Sequence, residues 1–432
     1  MDVSESRIIT WPLWRKIIFR FFFIYFSLSI TPWLWFSQLS FITKYYSQFW
    51  DWLVTLSNDH LFHVSKVLIH PNGSGDTSYN WAELSLILLL ALSGCIIWSA
   101  IDFKRKNYTQ LNYWLCLFAR YFIIIQCTVY GVGKIFLMQM EFPSLHQLAT
   151  PLGDYLPMRL TWQFIGYSSP YQLFSGIMEV VAGLLLLNRR TVTLGLLVAA
   201  GVFTNVMMLN LCYDIPVKIF STQLLFICLF LLANESKRLL SFLILNKPAA
   251  QSDTYQFNFK KKYLRIGRVV CKIIFIVLAV GMTTYSYYSM YKQSNQPYVQ
   301  LGIKNGEYDV SSFELNHKLP TKFTADSLAW QNVIFENGVG SVRTSDSLFK
   351  FKYSRGYFDY VVDTLNRRID FKREYQGAIY TILSMHYEMP DANTIKLSGT
   401  RGTDSLKVEL KRSKHHFQLA EKQFHWLSEY NR

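Results

Sequence analysis

Arg120, Gln126, Tyr130 and Lys134 stand inside one long apolar run, 114–140, WLCLFARYFIIIQCTVYGVGKIFLMQM. Tyr130 and Lys134 are four residues apart, so a helix puts them on one face, with Gln126 one turn further back. A run of this length and composition can cross a bilayer, where an ionisable side chain costs about 2.5 kcal/mol or more and normally faces protein with a partner. Glu179, inside the apolar run 171–187, is the partner that the sequence offers. Such a lysine can act as a base or anion anchor, and the carboxylate can take protons from a reduced carrier. The same pair also serves as a structural ion pair, because a buried charge without a partner costs several kcal/mol. A third contribution comes from 205–218, NVMMLNLCYDIPVK, where Asn205, Asn210, Asp214 and Lys218 punctuate an apolar helix that Pro216 breaks. Asp214 is free to serve Lys218, Lys134 or Arg120. Gly131, Gly133 and Gly183 remove side chains beside these groups, which either lets a neighbouring backbone approach or opens space for a ligand.

The elements that must position these residues are membrane spans. Of 432 residues, 51% are hydrophobic and 17% charged, against about 25% charged in soluble domains. Seven runs have the length and composition to cross: 17–37, 82–101, 114–139, 171–187, 192–211, 217–233 and 269–289. The formal net charge of +15 is concentrated in short blocks: Arg7, Arg15, Lys16 and Arg20; Lys104 to Lys106; Arg189 and Arg190; and the basic residues from Lys237 to Arg268, Lys260 among them. Every block falls on one side if the N-terminus is cytoplasmic, and an odd number of spans then puts the C-terminus outside. Lys272, just inside the last span, is expected to snorkel. The first run lacks a small-residue cleavage site and reads as a retained signal anchor.

Two outer connections exceed a turn. The segment 38–80 is aromatic and suits an interfacial amphipathic helix with Trp50 and Trp52 at headgroup level. The segment 141–170, broken by four prolines, suits a loop or short helices capping the bundle. Beyond residue 293 the apolar runs give way to alternation: Phe349, Phe351 and Tyr353 against Lys350 and Lys352, then Leu406, Val408 and Leu410, with a hairpin in 394–410 turned at 399–403. These strands predict an antiparallel barrel or sandwich outside the membrane. The expected organisation is therefore 1–80, an anchor span and interfacial segment; 81–240, a helical bundle; 241–294, a basic loop and last span; and 295–432, the β domain.

Other chemistry is excluded or weak. Six cysteines lie in or beside apolar runs with no CxxC pair, against both a disulfide framework and a zinc site. His60, His63 and His70 do not share a helical face, so no metal is expected there. The basic blocks carry no nucleic-acid motif. Asn72-Gly73-Ser74 is a glycosylation sequon by pattern only.

Gly131-Val-Gly-Lys134, the run from Glu179 through Gly183 to Arg190, and the ending YDIPVK resemble the DoxX-like membrane proteins, within a grouping that includes the HTTM domain. The resemblance covers about 80–240. It implies a core of at least four helices and, for some relatives, thiosulfate:quinone oxidoreduction or membrane redox complexes. The β domain resembles the tail of long DoxX-like proteins ending in Phe424-His425-Trp426. The chain departs from these relatives in its extra N-terminal spans and in lacking a redox cysteine pair. Two functions follow as expectations. One is an outward-facing pocket of Tyr130, Lys134, Glu179, Asn205 and Asp214 that binds a small apolar or quinone-like molecule, in an enzyme or redox-complex subunit of a bacterial plasma membrane. The other is a non-catalytic scaffold whose β domain recruits an envelope partner.

Overall fold

The computed structural model describes residues 10–30, 40–72, 75–248, 261–296, 298, 302–316, 328–375, 377–421 and 426–427. Arg7, Gly73, Ser74, Lys260, Phe424, His425 and 31–37 of the first expected span lie outside the described residues. The chain forms two compact units, Met1–Met140 with Ser168–Lys292, and Glu141–Tyr167 with Gln293–Arg432. The proline-broken segment 141–167 thus groups with the β domain rather than with the helices it connects.

The helices are α1 Leu13–Ile30, α2 Ser40–Ser57, α3 Ser78–Ile101, α4 Thr109–Ile135, α5 Leu145–Leu148, α6 Pro157–Tyr167, α7 Ser169–Leu187, α8 Val192–Cys212, α9 Lys218–Ala233, α10 Ser236–Ile244 and α11 Lys262–Ser294. Five of them, α3, α4, α7, α8 and α11, are long and apolar enough to cross a membrane. Helices α9 and α10 pass that test only as a pair, bent by 79° at their junction. Helix α1, 18 residues long, carries Arg15, Lys16 and Arg20 and is not among the five. Large apolar side chains such as Leu92, Ile96, Phe226 and Ile273 remain on the outside of the unit. A helix that is apolar all round, with part of that surface uncovered by protein, is what a bilayer solvent demands.

The interior of this unit gathers Phe26, Ile123, Ile124, Leu186, Phe203 and Ile227. Helix α2 departs from the interfacial expectation at Trp50. Its ring is buried against Val54, Ala82 and Leu86, and its indole N–H donates to Glu83 Oε1 at 2.7 Å. Trp52 stays exposed. The Nζ of Lys272 donates to the Leu187 carbonyl at 2.8 Å and so satisfies the C-terminus of α7.

The second unit is a closed antiparallel barrel. Its strands are β1 Gly306–Leu315, β2 Asn332–Glu336, β3 Val339–Val342, β4 Lys350–Lys352, β5 Arg355–Asp363, β6 Arg368–Tyr375, β7 Ala378–Asp391, β8 Thr394–Arg401 and β9 Asp404–Arg412. The order β3-β2-β1-β9-β8-β7-β6-β5 closes through a β3–β5 pairing, and β4 adds to β5 alone. Eight strands thus share one ring with no open edge, the arrangement that removes unpaired backbone. Inward alternation builds the core: Leu406, Val408 and Leu410 from β9 meet Trp330, Phe335, Phe358 and Phe371. At the closing seam Gly340 pairs with Phe358, whose ring occupies the place a Cβ would take.

The β8–β9 hairpin turns at Gly402 and Thr403, with Arg401 opposite Asp404, inside the expected stretch. The alternation expected over 349–353 does not hold. Phe349 is buried, but Lys350, Phe351 and Lys352 are all exposed, and Tyr353 sits at φ 52 in the turn to β5. Three residues paired on one side only cannot present an inner and an outer face.

Candidate functional site

Helices α4 and α7 bring Lys134 and Glu179 together. Nζ of Lys134 donates to Oε1 of Glu179 at 2.5 Å, with the residues 6% and 1% exposed. Glycines make this possible. A Cβ on Gly131 would stand 2.8 Å from the Gly176 carbonyl oxygen, and one on Gly176 would stand 2.6 Å from the Gly131 carbonyl oxygen. Gly183 meets Cys127 in the same way two turns along, which fixes the helices as antiparallel. The space that the glycines open is therefore filled by the opposite backbone. Gly133 faces elsewhere, toward the Tyr287 ring.

One side of the pair is incomplete. Oε2 of Glu179 is buried with no hydrogen-bond partner, and so are both amide atoms of Gln172, a fully buried residue. Gln172, Gly176, Glu179 and Gly183 recur at the spacing of one helical face. This stripe holds unspent acceptors and a donor in an interior where each unmade bond costs about 1–3 kcal/mol. Nothing in the sequence marks Gln172 beyond its position seven residues before Glu179.

The remaining expected residues spread out. Tyr130 joins the pair loosely, its ring centroid 5.9 Å from Lys134 Nζ. Gln126 is half-buried on the same helix. Arg120, fourteen residues from Lys134 and hence about 21 Å along the helix, places its guanidinium 5.5 Å over the Tyr121 ring. Asn205 is exposed on α8. Asn210 is buried and donates to the Val217 carbonyl at 3.3 Å, bracing the break before α9. Asp214 pairs with Lys218 at 2.8 Å and its side chain is 80% exposed, so it is not the partner of Lys134 or Arg120. Asp76, unmarked in the sequence, accepts from the backbone N–H groups of Lys218 and Ile219 and caps α9. Arg20, read from sequence only as an orientation signal, is 1% exposed and donates to Tyr108 Oη, Ser99 Oγ and the Asp102 carbonyl, while Tyr108 donates to Asp102 Oδ2.

The β-barrel unit has a polar cluster of its own. His146 of α5 lies with Nδ1 2.8 Å from Ser341 Oγ and Nε2 3.7 Å from Glu336 Oε2. Arg355 Nε donates to the same Ser341 Oγ at 2.8 Å. Burial, reinforced by the Arg355 charge, pushes the imidazole down from its ordinary 6.5 to about 4. Burial also holds Arg355 down at about 10, and raises the Glu336 carboxyl against the backbone N–H bonds it accepts from Leu145 and His146. Serine, histidine and glutamate in this order match the residue types of a nucleophilic triad. The geometry does not: Ser341 is 0% exposed with its oxygen already engaged, and 3.7 Å is too long for the orienting bond. The cluster fastens 141–167 to the barrel.

Over 120 residues, 28% of this chain and 75% of the relative, the sequence is 34% identical to the uncharacterized protein YwoB of Bacillus subtilis (strain 168). The chain belongs to the YwoB family. YwoB brings no activity with its name, and a match of 120 residues cannot take in both units whole. No protein-family model matches the chain, and no solved structure does.

Proposed function

We propose that this is an integral membrane protein of the DoxX-like kind, with seven spans, a cytoplasmic N-terminus and the barrel outside a bacterial plasma membrane. Its helical part works as a scaffold, and the outer barrel recruits an envelope partner. The observation that carries this reading is the backbone contact between Gly131 and Gly176 around the Lys134–Glu179 pair. A ligand would need the room that the helices have closed, whereas a clasp between spans needs that closure. The positive-inside distribution supports the orientation.

Substitutions Lys134→Met and Glu179→Gln, singly and together, test the clasp. Each single change is expected to lower the yield of folded, detergent-stable protein, and the double change to restore most of it, because removing both charges leaves none buried alone. Normal stability in both single variants would sink the scaffold reading.

A second reading is favoured by Glu179 Oε2 and the Gln172 amide, both buried without partners. These atoms can bond the carbonyl or hydroxyl oxygens of a quinone-class molecule, making the protein a quinone-linked or redox-complex subunit with Lys134 as base or anion anchor. The check is the small molecule that co-purifies in a detergent extract. Stoichiometric quinone, lost in Gln172→Leu with folding intact, decides for this reading; an extract without quinone decides against it.

A further inference from the structure

The segment Glu141–Tyr167 begins and ends beside helices long and apolar enough to cross a membrane, α4 and α7. Chain connectivity alone therefore keeps both of its ends near a bilayer surface. Within it, α6 buries Thr161 and Ile165 on one side. On the other, Leu156, Leu160 and Phe164, spaced by four, form one outward stripe, 64%, 40% and 69% exposed. Leu152 and Phe351 of the β4 strand are exposed as well. An exposed apolar stripe rimmed by cations is the pattern of a surface that lies in the headgroup region.

The cations are Arg159, Lys350 and Lys352. Arg159 lies close enough for its charge to act on the Tyr353 hydroxyl, Lys352 Nζ stands 5.2 Å from the Tyr353 ring, and Tyr155 packs on Tyr353 at 5.5 Å between ring centroids. Lys352 feels the charges of both Arg159 and Lys350, which add to partial burial in pushing its ammonium below the usual lysine range. Among the described residues none of the three makes an ion pair with a carboxylate. Three like charges, two of them at the Tyr353 ring and the third, Lys350, acting on Lys352, repel one another until an anion sits among them.

We infer that this face of the β-barrel unit docks on an anionic phospholipid surface, with Leu156, Leu160 and Phe164 at the acyl boundary and Arg159, Lys350 and Lys352 holding lipid phosphates. The inference rests on α4 and α7 being membrane spans.

Full-length protein in nanodiscs of phosphatidylcholine, alone or with phosphatidylglycerol, tests it through hydrogen exchange of peptides covering 157–167 and 350–355. Exchange in both peptides is expected to be at least ~10-fold slower with phosphatidylglycerol, from about 1 kcal/mol for each of the basic residues near the surface. The triple change Arg159→Gln, Lys350→Gln and Lys352→Gln abolishes the difference. The triple change Lys407→Gln, Lys411→Gln and Lys414→Gln, of equal charge elsewhere in the unit, leaves it. Equal exchange in both lipids, survival of the difference in the first triple variant, or its loss in the second overturns the inference. So does reproduction of the protection by inorganic phosphate in phosphatidylcholine discs. The two-lipid comparison of the unaltered protein keeps the inference open to refutation should a variant fail to fold. A chain that purifies without detergent overturns the span reading instead.

Discussion

Glu179 spends one carboxylate oxygen on Lys134 and leaves the other unpartnered. Removing either partner alone should cost about 3–5 kcal/mol, and removing both far less, as measured by detergent-stability midpoints of the variants. His146 sets a pH dependence whose sign follows from its neutral burial. Its folded value of about 4 lies below the unfolded 6.5, so the unfolded state binds more protons between them. The fastening of 141–167 is therefore complete above pH 6.5 and weakens as the pH falls toward 4, by on the order of 3 kcal/mol. The raised Glu336 carboxyl works in the opposite sense, losing stability as pH rises, so the comparison must be with His146→Gln. Protection of the 141–167 peptides, taken relative to their intrinsic exchange at each pH, should fall on acidification in the parent and should not fall in that variant, where Glu336 alone remains. The Lys134–Glu179 pair was legible because each residue interrupts an apolar run. Asn205 and Asn210 are told apart only by structure: five residues apart they differ by about 500° of helical turn, and Asn210 is buried while Asn205 is exposed. Arg20 escaped because a basic residue near the start of a span reads as a topology signal, and only Tyr108, Ser99 and Asp102 together reveal its clasp.

At the scale of elements, glycine position rather than glycine count decides how α4 meets α7. Gly176→Ala forces a Cβ toward the Gly131 carbonyl, where backbone rather than a flexible side chain must give way. The expected loss is about 1–3 kcal/mol, typical of overpacking. Gly201→Ala in α8, where a Cβ meets nothing within 4 Å, should be neutral or stabilise by about 0.5–1 kcal/mol. Thermal melts of the two variants in one detergent make the comparison, and equal melting would refute the close-packing account. The sequence showed that glycines flank the charged residues but left open whether they admit a helix or a ligand. That choice depends on which glycine faces which, a relation between segments more than forty residues apart. The strands were legible for a complementary reason: in β9 the period-two pattern of Leu406, Val408 and Leu410 is local. Barrel closure was not, since it lies in the β3–β5 seam and in the missing side chain of Gly340.

Across the whole molecule, the boundary of the β domain was the least visible feature, because residues 141–167 join it from a distant part of the chain. Their tie is polar and specific: Leu145 N–H donates to Glu336 Oε2 at 2.9 Å, and His146 Nδ1 lies in hydrogen-bond contact with Ser341 Oγ. No hydrophobic pattern announces such a contact. It follows that 295–432 produced alone leaves the half-buried Glu336 without the backbone donors of Leu145 and His146, and leaves Ser341 with Arg355 but without His146; each unmade buried bond costs about 1–3 kcal/mol. The fragment should melt several degrees below one in which 141–167 is joined to 293–432 by a flexible linker. Glu336→Leu in the joined form should remove much of that gain, since the carboxylate is what receives the N-terminus of α5. The melts of the three proteins at pH 7.5, where His146 is neutral, carry the comparison. Equal melting of the short fragment and the joined form would show that the barrel stands without this segment, and would leave the polar cluster no part in holding the unit together.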